Sequence, residues 1–482
     1  MDLVLGIDLG THGVRTLVVD CEGKIHARTY RHYSRDIKPG GIEEQPLEPV
    51  WKGLCEAVKE TAGIIDINQQ ISGLAITHQR GTLLALDENG EPLQAAICDS
   101  DSRSWPQAQW LNEHIGGERL YNITGCPPVA FNGLTKILWF YQERPNEASK
   151  VKYWASIQDW ATMQMTGYPR SNPGSVLRLG VLDIKNRHRY AIELLSTLGI
   201  QYSQFIPLLG MKEQLGHLTD SAAKVLGLKN NTKVFSAPGD QPCAVLGTGS
   251  IFKNYPVVNL GTSFLSSMPV IEFPEFNNEV PCTLEILPEG KYALELGSGA
   301  GTNALDWLVN ALFPVESVEY LCELGSHSPA GAKGIRVIPQ WWSALHEGGG
   351  SILGLKPFHE KEDILRATLE GLAFEVRWAL NHLQSITGIY TTKVGVFGGA
   401  SQNEFFCQLL SNILELEIVR SKTPEASALG AAICAAVGLG WFKTTSEACE
   451  SMTQVKDSFY PQGGESILYR KEYKIYRDLR SN

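Results

Sequence analysis

An aspartate near the middle of the chain stands in a setting that suits acid–base chemistry. Asp240 follows the short apolar run at residues 234–235 and belongs to a Pro-Gly-Asp-Gln turn at residues 238–241. An aspartate placed at the end of a buried strand can accept a proton from a hydroxyl group as a general base. Aspartate is also common in turns because its side chain bonds the local backbone. This position alone therefore leaves both interpretations open.

Glycine-rich turns occur at two places that resemble each other. Residues 3–15 form an apolar run, a turn containing Gly10 and Gly13, and the start of a second apolar run. The backbone amides of such a turn can bind an anion such as phosphate, although an ordinary hairpin fits the pattern equally well. The sequence Asp-Leu-Gly-Thr at residues 8–11 returns as Asn-Leu-Gly-Thr at residues 259–262. This internal repeat predicts two similar halves, each with one phosphate-binding turn.

Further polar and glycine-rich segments lie at the predicted ends of strands. A Thr-His-Gln-Arg cluster at residues 77–80 follows the predicted strand at residues 71–76, where α/β proteins commonly bind ligands. A second cluster at residues 98–103 fits either a ligand site or a solvated loop with a helix N-cap. Glycine-rich stretches at residues 297–303 and 395–403 each precede a predicted helix, whose first amides can bind phosphate or ribose.

The elements that position these residues alternate between strands and helices, which predicts an α/β protein. Apolar residues at helical spacing over residues 49–58 predict a helix before the strand at 71–76. Residues 131–140 predict another amphipathic helix. The uncharged window at residues 428–442 is shorter than the roughly 18 residues of a membrane span and is rich in Gly and Ala, so it predicts a closely packed internal helix.

The composition limits the classes of partner. A chain of 482 residues exceeds the size of one hydrophobic core and predicts at least two domains. Its 42 basic and 52 acidic residues give a net charge of −10, which argues against a nucleic-acid or membrane partner. Ten cysteines without a C-x-x-C pair indicate reduced thiols. With no basic, apolar signal-peptide pattern at the start, the sequence predicts a cytoplasmic protein.

Taken together, the motifs resemble the FGGY carbohydrate kinase family along nearly the whole chain. Nine segments match in order, at residues 7–11, 76–80, 131–143, 216–219, 239–241, 260–263, 304–308, 398–403 and 425–432. The resemblance implies an α/β fold of two duplicated RNase H-like domains, of the actin/Hsp70/hexokinase-like ATPase type, with a central cleft. The N-terminal domain, residues 1–247, would hold the sugar, the first phosphate loop and the catalytic aspartate. The C-terminal domain, residues 248–482, would bind the nucleotide.

The resemblance also implies an activity and a role for each matching residue. The γ-phosphoryl group of ATP would pass to a hydroxyl of a sugar or polyol, with Asp240 as the base and with Asp8 and Asp240 placing Mg²⁺. The implied substrate-binding residues are Gln79, Arg80, Asp99, Phe131, Asp240 and Gln241. The implied nucleotide-binding residues are Thr11, His12, Gly13 and Arg15 in the first half and Gly261, Thr262, Thr302, Asp306, Gly399 and Asn403 in the second.

The identity of the sugar is the least determined part of the resemblance. Glycerol kinases have Gln-Arg-Glu where this chain has Gln79, Arg80 and Gly81, and a substrate-binding Tyr where it has Phe131. We therefore expect a ketopentose such as xylulose, or a related polyol. Glycerol is one alternative, and a non-kinase ATPase of the actin fold is another. The sequence leaves the oligomeric state open, a homodimer included.

Overall fold

Strands and helices alternate along the chain, as the hydrophobic pattern predicts. The computed structural model describes residues 2–66, 69–186, 189–211, 213–252, 255–277, 280, 282–312, 318–341 and 349–480. The strands are β1 (Asp2–Gly10), β2 (Gly13–Val19), β3 (Ile25–His32), β4 (Asp36–Lys38), β5 (Ile42–Gln45), β6 (Gln70–His78), β7 (Leu84–Leu86), β8 (Ala96–Ile97), β9 (Tyr153–Ala155), β10 (Gln214–His217), β11 (Lys233–Phe235), β12 (Val257–Leu260), β13 (Phe264–Val270), β14 (Thr283–Ile286), β15 (Tyr292–Gly297), β16 (Arg336–Ile338), β17 (Ser351–Leu353), β18 (Lys393–Phe397), β19 (Glu417–Ser421) and β20 (Val455–Phe459).

The helices fall between these strands. They are α1 (Leu47–Ile64), α2 (Trp105–His114), α3 (Gly117–Thr124), α4 (Gly133–Glu143), α5 (Pro145–Ala148), α6 (Ile157–Thr166), α7 (Pro173–Val176), α8 (Ile192–Thr197), α9 (Asp220–Leu226), α10 (Asp240–Gly247), α11 (Thr302–Leu312), α12 (Val318–His327), α13 (Lys361–Thr387), α14 (Glu404–Leu414), α15 (Ala426–Gly438), α16 (Thr445–Met452) and α17 (Gly463–Arg480). Short 3₁₀ turns occur at Leu177–Leu179, Tyr202–Gln204, Ser250–Phe252, Pro288–Gly290, Ala332–Gly334 and Gly399–Gln402.

The chain folds into two compact units, each assembled from three segments. Unit 1 comprises Met1–Gly249, Ile271–Ala293 and Glu425–Thr453. Unit 2 comprises Ser250–Val270, Leu294–Pro424 and Gln454–Asn482. Unit 1 therefore contains chain from both halves of the sequence, whereas all three segments of unit 2 come from the second half. The predicted division between residues 247 and 248 stays a prediction.

Unit 1 is built on a mixed sheet with the strand order β10-β11-β6-β1-β2-β3. β1 and β2 form the predicted antiparallel hairpin, in which Gly10 pairs with Gly13, and β3 extends it. β6 and β11 lie parallel to β1 and to each other. The carboxyl ends of β1, β6 and β11 therefore meet at one edge of the sheet, which is where parallel sheets bind ligands.

Helices cover both faces of this sheet because β1 is apolar on both sides. Alternate residues of β1, among them Leu5 and Ile7, share a core with Val50 and Leu54 of α1. The opposite face of β1 packs against α15, the predicted internal helix, whose residues are almost all buried. None of the described helices combines the length and the apolarity that crossing a membrane requires. The predicted closely packed helix is confirmed for residues 428–438, whereas residues 439–442 of the predicted window lie beyond the helix.

Unit 2 repeats this architecture on its own sheet. Six of its strands follow the order β15-β13-β12-β18-β19-β20. β12 and β13 form the second predicted hairpin, while β18 and β19 lie parallel to β12. Each unit thus pairs an N-terminal hairpin with two further parallel strands and one antiparallel edge strand. The prediction of a duplicated α/β fold is confirmed.

Glycines let α15 approach its neighbours at backbone distance. A Cβ atom added to Gly430 would lie 1.8 Å from the carbonyl oxygen of Cys243 in α10, and one added to Gly247 would lie 2.0 Å from that of Ala426. A Cβ atom on Gly6 of β1 would lie 1.9 Å from the carbonyl oxygen of Ala428. These distances are far below van der Waals contact. Any larger residue would push α10, which begins at Asp240, away from α15.

We expect Gly430→Ala to lower the free energy of unfolding by about 2 kcal/mol or more, because the added methyl group overpacks a tight backbone contact. Chemical denaturation monitored by circular dichroism measures the change. Gly63→Ala is the matched control, since Gly63 lies in α1 with no heavy atom within 4 Å of its added Cβ. That variant should gain roughly 0.5 kcal/mol from reduced chain entropy. Equal effects of the two substitutions would contradict the packing argument.

Candidate active site

Three of the predicted residues lie at the edge of the unit 1 sheet where parallel strands end. Asp8 is near the end of β1 and pairs in register with Thr77 of β6. Arg80 follows β6 by two residues, and Asp240 is the first residue of α10, which comes after β11. Because β1, β6 and β11 are parallel neighbours, their following residues converge. The sheet therefore brings Asp8, Arg80 and Asp240 together from positions far apart in sequence.

The carboxylate of Asp240 is held by two donors. Arg80 donates from Nε to Asp240 Oδ1 at 2.8 Å, and the backbone amide of Gln241 donates to the same oxygen at 2.8 Å. The Asp240 side chain keeps 26% of its surface exposed, whereas the Arg80 side chain is only 8% exposed. Asp240 is thus fixed in direction and still reachable by a ligand, as a general base must be.

Buried polar side chains hold the loop that leads into α10. Thr77 donates from Oγ1 to the carbonyl oxygen of Pro238 at 2.8 Å. The carbonyl oxygen of Ala237 accepts from the side-chain amides of Gln158 at 3.0 Å and Asn172 at 2.9 Å. These bonds satisfy carbonyl groups that would otherwise be buried without partners. They fix the backbone immediately before Asp240 from three separate elements.

Asp8 is a buried carboxylate whose charge is incompletely compensated. It is 7% exposed, and its Oδ1 atom has no hydrogen-bond partner among the described residues. Burial raises the pKa of Asp8 to about 7, and the negative charge of Asp240 adds to the rise. The guanidinium of Arg15, 3.9 Å from Oδ2, acts in the opposite direction. A cation bound beside Asp8 would supply the missing compensation.

The carboxylates of Asp8 and Asp240 suit Mg²⁺ better than they suit a metal that is coordinated by protein side chains alone. Mg²⁺ keeps several waters and is usually bound through one or two carboxylates together with phosphate oxygens of a substrate. Asp8 and Asp240 form such a pair, and the unpartnered Oδ1 of Asp8 is a free acceptor. Among the residues that the structure describes, no three His, Cys, Asp or Glu side chains group as a metal cage. The residues present therefore fit Mg²⁺ held jointly by protein and nucleotide.

Glu285 is part of this site, although the sequence analysis did not single it out. Its side chain is completely buried on β14 and pairs with Nη1 of Arg80, while Nε of Arg178 lies 4.0 Å from its Oε1 atom. Arg80 thus bridges Glu285 and Asp240. One signal was available in the sequence, since Glu285 is a lone acid in an otherwise apolar strand end. Such a charge is buried only when it has a partner.

The predicted substrate residues divide into buried polar groups and one exposed ring. Gln79 is 2% exposed, and neither polar atom of its amide has a hydrogen-bond partner among the described residues. Oδ1 of Asp99 is likewise buried without a partner. Phe131 is 38% exposed and makes an edge-to-face contact with Trp105 at 5.9 Å between ring centroids. Gln241 is 6% exposed beside Asp240. Unpartnered buried amides and carboxylates are the groups that sugar hydroxyls satisfy.

Gly81 lies where three predicted substrate segments meet, and it has no room for a side chain. Its φ of 77° is in the left-handed region that favours glycine. A Cβ atom would lie 2.6 Å from the carbonyl oxygen of Phe131 and 3.4 Å from Cβ of Asp99. The close approach of these segments therefore depends on glycine at this position.

The turn with Thr11, His12 and Gly13 is anchored by two tyrosines. Tyr33 donates from its hydroxyl to the carbonyl oxygen of Gly10, and Tyr30 donates to that of His12 at 3.1 Å. Arg15, on β2, is exposed and stacks over the Tyr30 ring. Burial lowers the pKa of the His12 imidazole, and the nearby Arg35 adds to the decrease. The two tyrosine hydroxyls therefore hold the backbone of the turn, and its charged neighbour Arg15 is exposed.

In unit 2, the corresponding turn after β12 joins the start of α11. Thr302 donates from its amide and its Oγ1 to the carbonyl oxygen of Gly261, both at 3.2 Å. The amide of Asn303 donates to the carbonyl oxygen of Thr262 at 3.1 Å. Gly261, Thr262 and Thr302 are therefore brought together. Asp306 lies exposed one turn further along α11.

Gly399 and Asn403 follow β18, the parallel neighbour of β12. Gly399 is exposed and begins a 3₁₀ turn. Asn403 is the N-cap of α14, where its Oδ1 accepts from the amide of Phe406 at 2.9 Å. Asn403 thus has a structural role at a helix start, which the sequence analysis did not assign to it.

Comparison with known proteins identifies the group to which this fold and site belong. The N-terminal domain model of the FGGY family of carbohydrate kinases matches residues 3–247. The C-terminal domain model of the same family matches residues 256–439. The chain belongs to the FGGY family of carbohydrate kinases. It is therefore a phosphotransferase that moves a phosphoryl group from ATP to an alcohol group of a sugar or polyol.

Relatives of this FGGY kinase match it over almost their full lengths. A xylulose kinase from Staphylococcus epidermidis is 29% identical, with 99% of this chain and 96% of the relative covered. A glycerol kinase from Haloarcula marismortui is 28% identical, with 95% and 93% covered. The crystal structure of ligand-bound xylulose kinase from Lactobacillus acidophilus has the same fold, with a TM-score of 0.91 at 22% identity and 100% and 98% covered.

We expect Glu285→Gln to lower kcat of this FGGY kinase about tenfold or more, because Arg80 loses the buried anion that fixes its direction toward Asp240. The Michaelis constant for ATP should stay within about twofold, since the ion pairs of Glu285 join it to Arg80 and Arg178, neither of which is a predicted nucleotide-binding residue. Steady-state kinetics well below the unfolding temperature measures both values.

Glu272→Gln is the matched control, since Glu272 is an exposed acid in the same chain segment as Glu285. Its kinetic constants should equal those of the unaltered enzyme. Removing one partner of a buried ion pair typically costs roughly 3–5 kcal/mol, so thermal unfolding of Glu285→Gln is recorded alongside. An unchanged kcat in a destabilised protein would show that Glu285 serves stability alone.

Proposed function

We propose that this kinase phosphorylates a ketopentose such as xylulose, with Asp240 as the general base. The observation that carries the proposal is the partly exposed carboxylate of Asp240, oriented by Arg80 beside the buried, incompletely compensated Asp8. Asp240 accepts the proton of the attacking hydroxyl as the phosphoryl group is transferred, an effect typically worth roughly 10² to 10⁴ in rate. Arg80 holds that carboxylate in place.

Binding of the nucleotide is assigned to backbone turns and to Mg²⁺. In unit 1 the proposed phosphate ligands are Thr11, His12, Gly13 and Arg15; in unit 2 they are Gly261 and Thr262, with Thr302, Asp306, Gly399 and Asn403 for the nucleoside. Asp8 and Asp240 would hold Mg²⁺, which when bound would supply positive charge to the phosphate oxygens. The rigid turns leave their amides already oriented, so little reorganisation accompanies the reaction.

The substrate pocket proposed here favours a sugar larger than glycerol. The resemblance associates glycerol with a carboxylate where this chain has Gly81 and with a phenol where it has Phe131. Gly81 has a φ of 77° and no space for a Cβ atom, so a glutamate cannot take its place without moving Phe131. The unpartnered groups of Gln79 and Asp99 are the proposed ligands for the additional hydroxyls of a pentose. Several of the similar proteins are named xylulose kinase, which supports the same choice.

The composition of the chain bears on where the enzyme works. We assign it to the cytoplasm, where ATP and free sugars are available, and to small-molecule substrates rather than nucleic acid. The acidic composition and the free thiols support this assignment.

A coupled assay of ADP release at fixed Mg·ATP tests the choice of substrate. Xylulose, ribulose, glycerol, gluconate and several aldoses are supplied one at a time. We expect the highest kcat/KM for a ketopentose and little activity with glycerol, because Gly81 and Phe131 lack the carboxylate and the phenol hydroxyl that the resemblance associates with glycerol. A preference for glycerol would overturn the proposed pocket. ATP turnover without any dependence on added sugar would favour the non-kinase alternative.

We expect Asp240→Asn to lower kcat by roughly 10² to 10⁴ while nucleotide binding is retained, because an amide cannot accept the hydroxyl proton. The ADP-release assay gives kcat, and isothermal titration calorimetry gives the dissociation constant of ATP in the same buffer. Asp220→Asn, at an exposed position in α9, serves as the control and should keep full activity. A kcat near that of the unaltered enzyme would remove Asp240 from its proposed role.

A further inference from the structure

One cation is completely buried beneath the proposed sugar pocket. Lys136 lies in α4 with 0% of its surface exposed. Its Nζ atom donates to the carbonyl oxygens of Gly81 at 2.8 Å, Asp99 at 3.3 Å and Phe131 at 3.4 Å. These carbonyls belong to three separate segments, which follow β6, follow β8 and precede α4. A single ammonium group therefore joins the three segments.

The ammonium group of Lys136 has a carbonyl acceptor for each of its donors. An ammonium group has three hydrogen-bond donors and no acceptor, and each donor has one carbonyl oxygen here. Burying the charge is nevertheless costly, and burial lowers the pKa of Lys136 to about 8. The charged groups around it are Asp99 and Asp101, which oppose this decrease, and Arg178, which adds to it. An apolar side chain would fill a helix core at lower cost, so packing alone does not explain a lysine here.

The three bonded residues are those that define the pocket. Gly81 permits the close approach of the segments, Asp99 carries an unpartnered carboxylate oxygen, and Phe131 presents its ring. Lys136 binds the backbone of Asp99 and leaves the carboxylate available to a ligand. Loss of the ammonium group would release three backbone segments at once, since no other described side chain bonds all three carbonyls.

We propose that Lys136 is a positioning residue for the sugar, which holds the segments of Gly81, Asp99 and Phe131 as one wall of the pocket. The inference rests on the proposed function, because it concerns the same sugar site. It assigns Lys136 no contact with the reacting atoms. Its effect is on the affinity for sugar and not on that for ATP.

Lys136→Met tests the inference, because methionine is close in length and has no donors. We expect the Michaelis constant for xylulose to rise about tenfold or more, while that for ATP stays within about twofold. Lys136→Arg, which keeps charge and donors, should restore part of the sugar affinity. Lys224→Met is the matched control, since Lys224 is exposed on α9, and it should change neither constant.

The pH dependence of the unaltered enzyme gives a second measurement. Above pH 8 the Lys136 ammonium loses one donor, so the Michaelis constant for xylulose should rise between pH 8 and 9.5. The constant for ATP should stay level there, because Asp8, with a pKa of about 7, is already ionised. The neighbouring thiol of Cys98 does not titrate in this interval, because burial raises its pKa to about 12. Lys136→Met should lack the rise.

The outcomes separate this inference from the proposed function. If the unaltered enzyme phosphorylates no sugar, the proposed function fails. If it is active and Lys136→Met keeps the same Michaelis constant for xylulose, the inference about Lys136 is wrong. Should Lys136→Met not fold, the pH profile decides, because a flat constant for xylulose overturns the inference and a selective rise supports it.

Discussion

The structure of the site depends on two linked ion pairs. The buried Glu285 pairs with Arg80, and Arg80 pairs with Asp240. Glu285 has no exposed surface, and Arg80 is nearly as buried, so their attraction is little weakened by solvent. Asp240, at the other end, is the member that ligands can reach. For its proposed role as the base, Asp240 needs a fixed direction without a fully neutralised charge. Sharing Arg80 with Glu285 meets both needs.

The geometry of the backbone positions these linked ion pairs. The parallel register of β1, β6 and β11 brings Asp8, Arg80 and Asp240 to one edge of the sheet. α10, which starts with Asp240, is packed at backbone distance on α15 through glycines. Such contacts are stiff, because the facing atoms are backbone with no side chain that could adjust its rotamer. Residues from the C-terminal part of the sequence thus position a residue from its middle.

Burying the carboxylate of Asp8 lowers the stability of the folded protein, and the binding of a cation can offset this loss. The pKa of Asp8 is raised to about 7 because its carboxylate lacks compensation in the protein alone. Between the unfolded value of 3.8 and this value, the folded protein binds more protons than the unfolded chain, so ionising Asp8 lowers stability as pH rises through that interval. A cation that binds the ionised carboxylate regains this free energy. A buried carboxylate with a raised pKa is typical of sites that bind a charged ligand.

Much of the fold could be predicted from the sequence, because its signals are local. The glycine turns after β1 and β12 repeat a short motif, the hydrophobic periods define strand and helix, and the uncharged Gly/Ala window predicts the tight packing of α15. The family resemblance located Asp8, Arg80 and Asp240 as a set. Glu285 and Lys136 could not be assigned in the same way, since each acts through partners that are distant in sequence.

The sequence by itself determined the fold class, the duplication and the residue types available for phosphoryl transfer, because these follow from patterns along the chain. Tertiary structure alone decided which two carboxylates share Arg80, which carboxylate is uncompensated and which carbonyl groups the buried ammonium of Lys136 joins. Gly81 illustrates the difference: its identity is visible in the sequence, but the lack of space for a Cβ atom is not. Burial and pairing arise only when segments meet, and they set the chemistry of each charge.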